Sequence, residues 1–164
     1  MSPVLVSPLA SARSMFALLV GLAMTLLAGG SAAASPEEDV MSVLQHWADD
    51  FNKGDTKAAE ANCAERVSIV DDFPPHQWNG AGACTRWFVD FQAFAKGAEI
   101  TEPIIAMGKP RHVDVTGAVA YVVVPVTLTY QKKRVPTKLD GIMTAILKGS
   151  SLGWRISAWT WADQ

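Results

Sequence analysis

The stretch AVAYVVVPVTLTYQ, residues 118–131, decides the fold class. Its run of β-branched residues predicts one long strand, because branched side chains fit the pleated surface of a sheet. Pro125 lies inside this run and has no N–H to donate to a neighbouring strand, so an edge or a bulge is expected there. A bent sheet accommodates either feature.

The residues around this stretch extend the sheet. Further strands are predicted at residues 67–72, 100–107, 111–115, 137–148 and 154–161. In the last of them, Ile156 is expected on one face of the sheet and Trp159 on the other, so that both faces carry apolar surface. Helices can cover one face and a partner subunit the other, which favours a homodimer formed through the sheet.

Three helical patterns lie on the N-terminal side of most of the strands. Ser35 is expected to cap the first helix and Gly54 to end it, while Asp55 caps a short second helix. The third helix is predicted from about residue 81 to 96, with its aromatic side chains on one face. Helices followed by strands indicate an α+β fold.

Residues 1–34 have the pattern of an export signal. Arg13 precedes an uncharged apolar run of 14 residues from Met15 to Ala28, and three alanines follow that signal peptidase accepts. A bilayer-spanning helix needs about 20 apolar residues, so removal after cleavage near Ala34 is expected, with an uncleaved anchor as the alternative. A single domain, residues 35–164, then remains in the periplasm or outside the cell, without a stable membrane anchor.

The charge is mildly acidic, with 14 basic and 16 acidic side chains in the chain. Nucleic-acid binders concentrate Lys and Arg, whereas the densest basic cluster here is Lys132–Arg134 in a predicted hairpin turn, which is typical of a solvated turn. No nucleic-acid partner is expected. His46 and Asp50 lie one helical turn apart but lack a third ligand, and a surface ion pair is favoured over a metal site. With no phosphate loop or dinucleotide fingerprint, no cofactor is expected either.

The two cysteines, Cys63 and Cys84, can pair in an oxidising compartment. The bond would close a loop of 22 residues. The chain-entropy model assigns roughly 3 kcal/mol of stabilisation to such a loop. Two buried free thiols are the alternative.

Three motifs carry a family resemblance: FNKGD (51–55), CAERVSIVD (63–71) and GWRI (153–156). With the order of elements, they make residues 39–162 similar to the nuclear transport factor two-like superfamily, which includes ketosteroid isomerases and SnoaL-like polyketide cyclases. The resemblance implies a cone-shaped fold, in which three N-terminal helices pack on a strongly curved, mainly antiparallel sheet above a pocket. Such a scaffold hosts several chemistries, so the fold does not choose among them.

The resemblance also implies roles for individual residues. Asp71 corresponds to the aspartate that acts as general base in ketosteroid isomerase, and Trp47 to its oxyanion-hole tyrosine. The isomerase's second donor has no secure match: Asp140 is the nearest acid, and Met143 is the alternative occupant. Because Asp71 precedes a proline turn, a capping or solvated acid is the competing interpretation.

The sequence therefore predicts a pocket for a small apolar or amphipathic molecule. An isomerase, cyclase or dehydratase that uses Asp71 as base is the alternative. His76 is expected near the mouth, and the aromatic residues either build the core or line the cavity. The predicted pocket residues are Trp47, His76, Trp87, Phe91, Tyr121, Asp140, Met143 and Trp159.

Overall fold

The computed structural model describes residues 34–164. The apolar run of the predicted signal peptide therefore lies outside the described residues. Within the described range, no helix combines the length and the apolar character needed to cross a bilayer.

Three helices among the described residues form one layer of the fold. They are α1 (Pro36–Asn52), α2 (Thr56–Ala61) and α3 (Ala83–Gly97). Ser35 caps α1 as predicted: its hydroxyl accepts from the Glu38 N–H, and the Glu38 carboxylate accepts from the Ser35 N–H, which satisfies both donors. Asp55 caps α2 by accepting from the Ala58 N–H at 3.0 Å.

Asn52 ties the end of α1 to the sheet. Its amide group donates to the Ile105 carbonyl at 2.8 Å, and its side-chain oxygen accepts from the Ile105 N–H at 2.7 Å. Gly54, two residues later, has φ of +72°, a conformation in which a Cβ is strained. The FNKGD motif therefore turns the chain and docks it on the sheet.

Within residues 34–164, seven strands form a single sheet. They are β1 (Cys63–Val70), β2 (Gln77–Ala81), β3 (Ile100–Met107), β4 (His112–Thr116), β5 (Val119–Lys132), β6 (Val135–Ser150) and β7 (Gly153–Asp163). The order is β2-β1-β7-β6-β5-β3, and β4 also pairs with β5. Only the pairing of β1 with β7 is parallel. The predicted α+β fold, with helices on a mainly antiparallel sheet, is confirmed.

The predicted bulge at Pro125 is absent from its pairing with β6, whereas the other side of Pro125 faces a gap between two neighbouring strands. It pairs with Ile142 in an uninterrupted register. On its other side, β3 pairing ends at Val126 and β4 pairing begins at Val123, with the Pro125 carbonyl accepting from Gly108 N–H at 2.8 Å. Pro125, which has no N–H to donate, therefore lies where the strand paired with β5 on this side changes from β3 to β4.

A bulge in β7 corrects the predicted orientation of its tryptophans. Ile146 pairs with Ala158 while Leu147 pairs with Ile156, which leaves Ser157 as the extra residue. Ile156 and Trp159 are consequently both buried against the helices, at 0% and 5% exposure. The outer face of β7 therefore lacks the tryptophan surface that simple alternation predicts.

The predicted disulfide is confirmed. Cys63, at the start of β1, is bonded to Cys84, near the start of α3, with 6.6 Å between their Cα atoms. The bond joins the helical layer to the sheet beside the apolar core between them.

Candidate ligand cavity

A cavity of about 250 Å³ lies between the helices and the curled sheet. The side chains contributed by α3 and β5 are Trp87, Phe91, Phe94, Leu128, Tyr130 and Lys132. Trp159 and Trp161 of β7 line it as well, and Asp71 and Asp72 enter from the turn after β1. The lining is thus mostly aromatic, with charged groups at a few positions.

The strand register shows how strongly the sheet curls. Paired residues on neighbouring strands form rows across the sheet, and one row across β1, β7, β6 and β5 consists of Val70, Thr160, Thr144 and Val123. Asp71 follows this row directly on β1, whereas Lys132 lies nine residues beyond Val123 on β5. On a flat sheet they would be roughly 25 Å apart along the strands alone. Since both line one cavity, the long β5–β6 arm curls back over the helices' side of the sheet.

Asp71 is a half-buried acid with two hydrogen-bond donors. Its Oδ2 accepts from the Trp87 indole N–H at 2.8 Å, and its Oδ1 accepts from the Asp72 backbone N–H at 2.8 Å. Burial disfavours the ionised form and raises the pKa of Asp71 from 3.8 to about 7, although the Trp87 hydrogen bond opposes the rise. At neutral pH the carboxyl group is therefore poised to donate or to accept a proton.

His76 holds the Asp71 turn from outside the cavity. The Asp71 N–H donates to the His76 carbonyl at 3.1 Å, and the His76 ring Nδ1 lies 3.1 Å from the Asp71 carbonyl oxygen. His76 is exposed and does not line the cavity. Its contacts support the turn that carries Asp71, and the predicted pocket residue His76 is not among the lining residues.

Trp47 and Met143 are buried in the core, at 2% and 3% exposure, and do not line the cavity. The Trp47 ring packs behind the cavity wall, with centroids 5.9 Å from Trp87 and 5.7 Å from Trp159. The indole N–H groups of Trp47 and Trp159 are buried without an acceptor among the described residues. The oxyanion-donor role that the resemblance implies for Trp47 gains no support from this position.

Tyr121 and Asp140 face away from the cavity, so their placement in the pocket is corrected. Tyr121 alternates with the buried Ala120 and Val122 and is 40% exposed. Asp140 accepts from Thr127 at 2.6 Å and from Lys138 at 2.7 Å, and these two donors lower its pKa. The strand period of two puts both residues on the outer face.

Of the predicted pocket residues, the structure brings Trp87, Phe91 and Trp159 together with Asp71 around the cavity. Sequence reasoning missed the β5 contribution of Leu128, Tyr130 and Lys132. Their spacing indicates that they share one face of β5, because alternate residues of a strand do so, but it does not indicate that this face reaches the cavity.

The described residues contain no cluster of three or more His, Cys, Asp or Glu side chains that could hold a metal ion. Asp50, one of the two residues weighed as ligands, instead pairs with the Lys53 ammonium at 3.0 Å.

The fold and the cavity define an α+β cone with a pocket between its helices and its sheet. The chain belongs to the SnoaL-like domain family, whose model matches residues 40–160. No curated protein sequence matches it significantly.

Solved structures share the fold at low sequence identity. A ketosteroid isomerase-like protein from Erwinia carotovora atroseptica has a TM-score of 0.63 and 13% identity, covering 80% of this chain and 98% of that one. The S. rosetta CaMKII hub has a TM-score of 0.66 and 16% identity, with 80% and 99% covered. An NTF2-like protein with a cystatin-like fold from Novosphingobium aromaticivorans has a TM-score of 0.63 and 12% identity, with 77% and 80% covered. These similarities establish the fold alone.

Proposed function

We propose that the protein binds a small apolar or amphipathic molecule in the cavity. The observation that carries this proposal is an apolar space of about 250 Å³ that contains one poised acid, Asp71. An apolar cavity of roughly 150 Å³ is enough to hold benzene, so this one suits a molecule of one or two rings. The rings of Trp87, Phe91 and Trp159 offer flat surfaces for such a body.

Asp71 gives the cavity its orienting group. In the protonated form it can donate to a carbonyl or hydroxyl oxygen of the ligand, which then takes the place of the neighbouring Asp72 carboxylate as the acceptor. A hydrogen bond in a largely apolar pocket fixes the orientation of the ligand more than it adds affinity.

Filling the cavity tests this proposal. Leu128→Trp places a larger side chain in the cavity wall, and Thr129→Trp places the same side chain one residue along the strand, at an exposed position. A ligand that binds the folded state raises its melting temperature. We expect 2-acetonaphthone, a two-ring ketone, to raise the melting temperature of the wild type and of Thr129→Trp, but not of Leu128→Trp. No rise in the wild type, or an equal rise in all three proteins, would refute binding in this cavity.

Proton transfer by Asp71 is the second candidate function, favoured by the pKa near 7. A carboxylate in this position can remove a proton from a carbon next to a carbonyl group, as an isomerase, cyclase or dehydratase requires. We expect the wild type in D₂O to accelerate deuterium exchange at the methyl carbon of 2-acetonaphthone, measured by NMR, and Asp71→Asn to lose the acceleration. Equal rates in the two proteins would leave binding as the function.

The disulfide indicates an oxidising compartment, because such bonds persist mainly outside the cytosol. We accordingly propose that residues 1–34 direct export to the periplasm or beyond and are removed. N-terminal sequencing of the protein from its host should begin near Ser35; a start at Met1 in the cytosolic fraction would contradict export.

A homodimer through the outer face of the sheet is proposed on the partly exposed apolar side chains there, among them Tyr121, Val123 and Ile142. Two structures of similar fold support this proposal through their names, which denote assembly. One is a CaMKII hub and the other is a calcium/calmodulin-dependent protein kinase II association domain. Light scattering should give twice the monomer mass, and Ile142→Lys should give the monomer. A wild-type monomer would refute the proposal.

A further inference from the structure

The turn between β5 and β6 carries basic residues where they are conformationally costly. Lys133 and Arg134 form a two-residue hairpin loop between the paired residues Lys132 and Val135. Their φ angles are +52° and +67°, in the left-handed region. Asn-Gly is the usual sequence for such a loop, and a residue with a long side chain costs of order 1 kcal/mol in this region. The tip therefore places three consecutive basic residues, Lys132 to Arg134, at one end of the β5–β6 arm.

Lys132 connects this basic tip to the cavity. It shares the inner face of β5 with Leu128 and Tyr130 and lines the cavity with them. The neighbouring Lys133 turns to the other side, where it pairs with Glu99 at 3.7 Å. Lys132 forms no ion pair within the part of the chain that the structure describes.

The charges of the cavity are separated along the sheet. Asp71 and Asp72 enter at the end of β1, and Lys132 is the one cation among the described lining residues, eight positions further along the strand direction. Between them the wall is apolar and aromatic. A negatively charged group of a ligand is therefore attracted by Lys132 and repelled by the two acids.

We propose that the ligand is an amphipathic anion, with its acid group at Lys132 and its one- or two-ring body against Trp87 and Phe91. This inference rests on the proposed binding function and adds the charge and the direction of the ligand. Lys132 is exposed, so the pair is partly solvated, and its effect on affinity is a factor of about 2 to 5. The preference also weakens as salt is added, since exposed charges are screened.

Three ligands of matched shape test the proposal: 2-naphthoate, 2-naphthamide and 2-naphthamidine, which are anionic, neutral and cationic. Their dissociation constants are measured by calorimetry at about pH 6, where naphthoate is ionised and most of Asp71 is protonated. We expect the wild type to bind naphthoate about 2 to 5 times more tightly than naphthamide. Naphthamidine should bind in the reverse direction, with its cationic group toward Asp71 and Asp72, so that its affinity does not depend on Lys132.

The matched variants are Lys132→Met and Lys133→Met, which remove a charge from the inner and the outer side of the same turn while keeping an apolar stem. Lys132→Met should bind naphthoate and naphthamide equally, and Lys133→Met should keep the wild-type preference. Melting temperatures confirm that both variants are folded.

The outcomes separate the two proposals. If naphthamide binds the wild type as tightly as naphthoate, or Lys132→Met keeps the preference, the anion assignment is overturned while the binding function stands. If none of the three ligands binds the wild type, the binding function falls and the anion assignment falls with it.

Discussion

Replacing Asp71 by asparagine should change how the stability of the protein depends on pH. Burial raises the pKa of Asp71 from 3.8 to about 7, so the folded protein holds a proton that the unfolded chain has lost across that interval. The resulting stabilisation is fully present below about pH 4 and is lost as the pH rises through about 7. At about 1.4 kcal/mol for each pH unit, the free energy of unfolding falls by at most about 4 kcal/mol.

Asparagine keeps a side-chain oxygen that can accept from Trp87, but it does not titrate. The free energy of unfolding of both proteins is measured by urea denaturation, with tryptophan fluorescence as the signal, at intervals from about pH 4 to 8. The difference in unfolding free energy, Asp71→Asn minus wild type, should increase with pH by up to about 4 kcal/mol over this range. The three histidines are present in both proteins, so their titration cancels in the difference.

Asp72→Asn is the matched control. Burial raises the pKa of Asp71 more than the exposed Asp72 carboxylate does, so this variant should keep most of the wild-type fall in stability between about pH 4 and 7. If the profiles of the wild type and Asp71→Asn run parallel, Asp71 titrates as an ordinary solvated acid and the reasoning from its burial is refuted.

Three further changes test the architecture around the cavity. The double variant of Cys63 and Cys84 to serine should lose roughly 3 kcal/mol of unfolding free energy, measured by urea denaturation, because the unfolded chain regains the freedom of the 22-residue loop; an unchanged midpoint would contradict this. Asn52→Ala should lose about 1–2 kcal/mol in the same assay, because a part-buried backbone N–H and carbonyl of β3 lose their partners. Trp87→Phe keeps an aromatic ring but removes a donor to the carboxylate, so the pKa of Asp71 should rise further, seen as an upward shift of its carbon-13 NMR titration midpoint; a downward shift would contradict the assigned hydrogen bond.

The sequence predicts most of the fold because the signals that define it are local. The N-caps at Ser35 and Asp55 and the β3 bounds at residues 100–107 follow from residue type and period alone. The β7 bulge at Ser157 does not, because a single extra residue is set by pairing with β6 and leaves no mark in the strand's own composition. That one residue reversed the predicted face of Trp159.

The site was predictable in part for the same reason. Asp71 and the α3 aromatics could be placed by the family resemblance and by helical period. Lys132 was not found, because its place in the cavity depends on the curl of the β5–β6 arm, which is a property of the whole sheet. The sequence misplaced Asp140 because the face on which it lies is set by the pairing register of β5 and β6. The length of the hairpin alone does not determine that register.

The most direct test of the account is the carbon-13 NMR titration of the Asp71 carboxyl group, in the free protein and in the protein saturated with 2-naphthamide. The account predicts a midpoint near 7 in the free protein. It also predicts a higher midpoint with the ligand bound, because the ligand displaces water from the cavity and accepts a hydrogen bond from the neutral acid. A midpoint near 3.8, or one that the ligand does not move, would contradict the claim that Asp71 lies in a ligand-binding cavity.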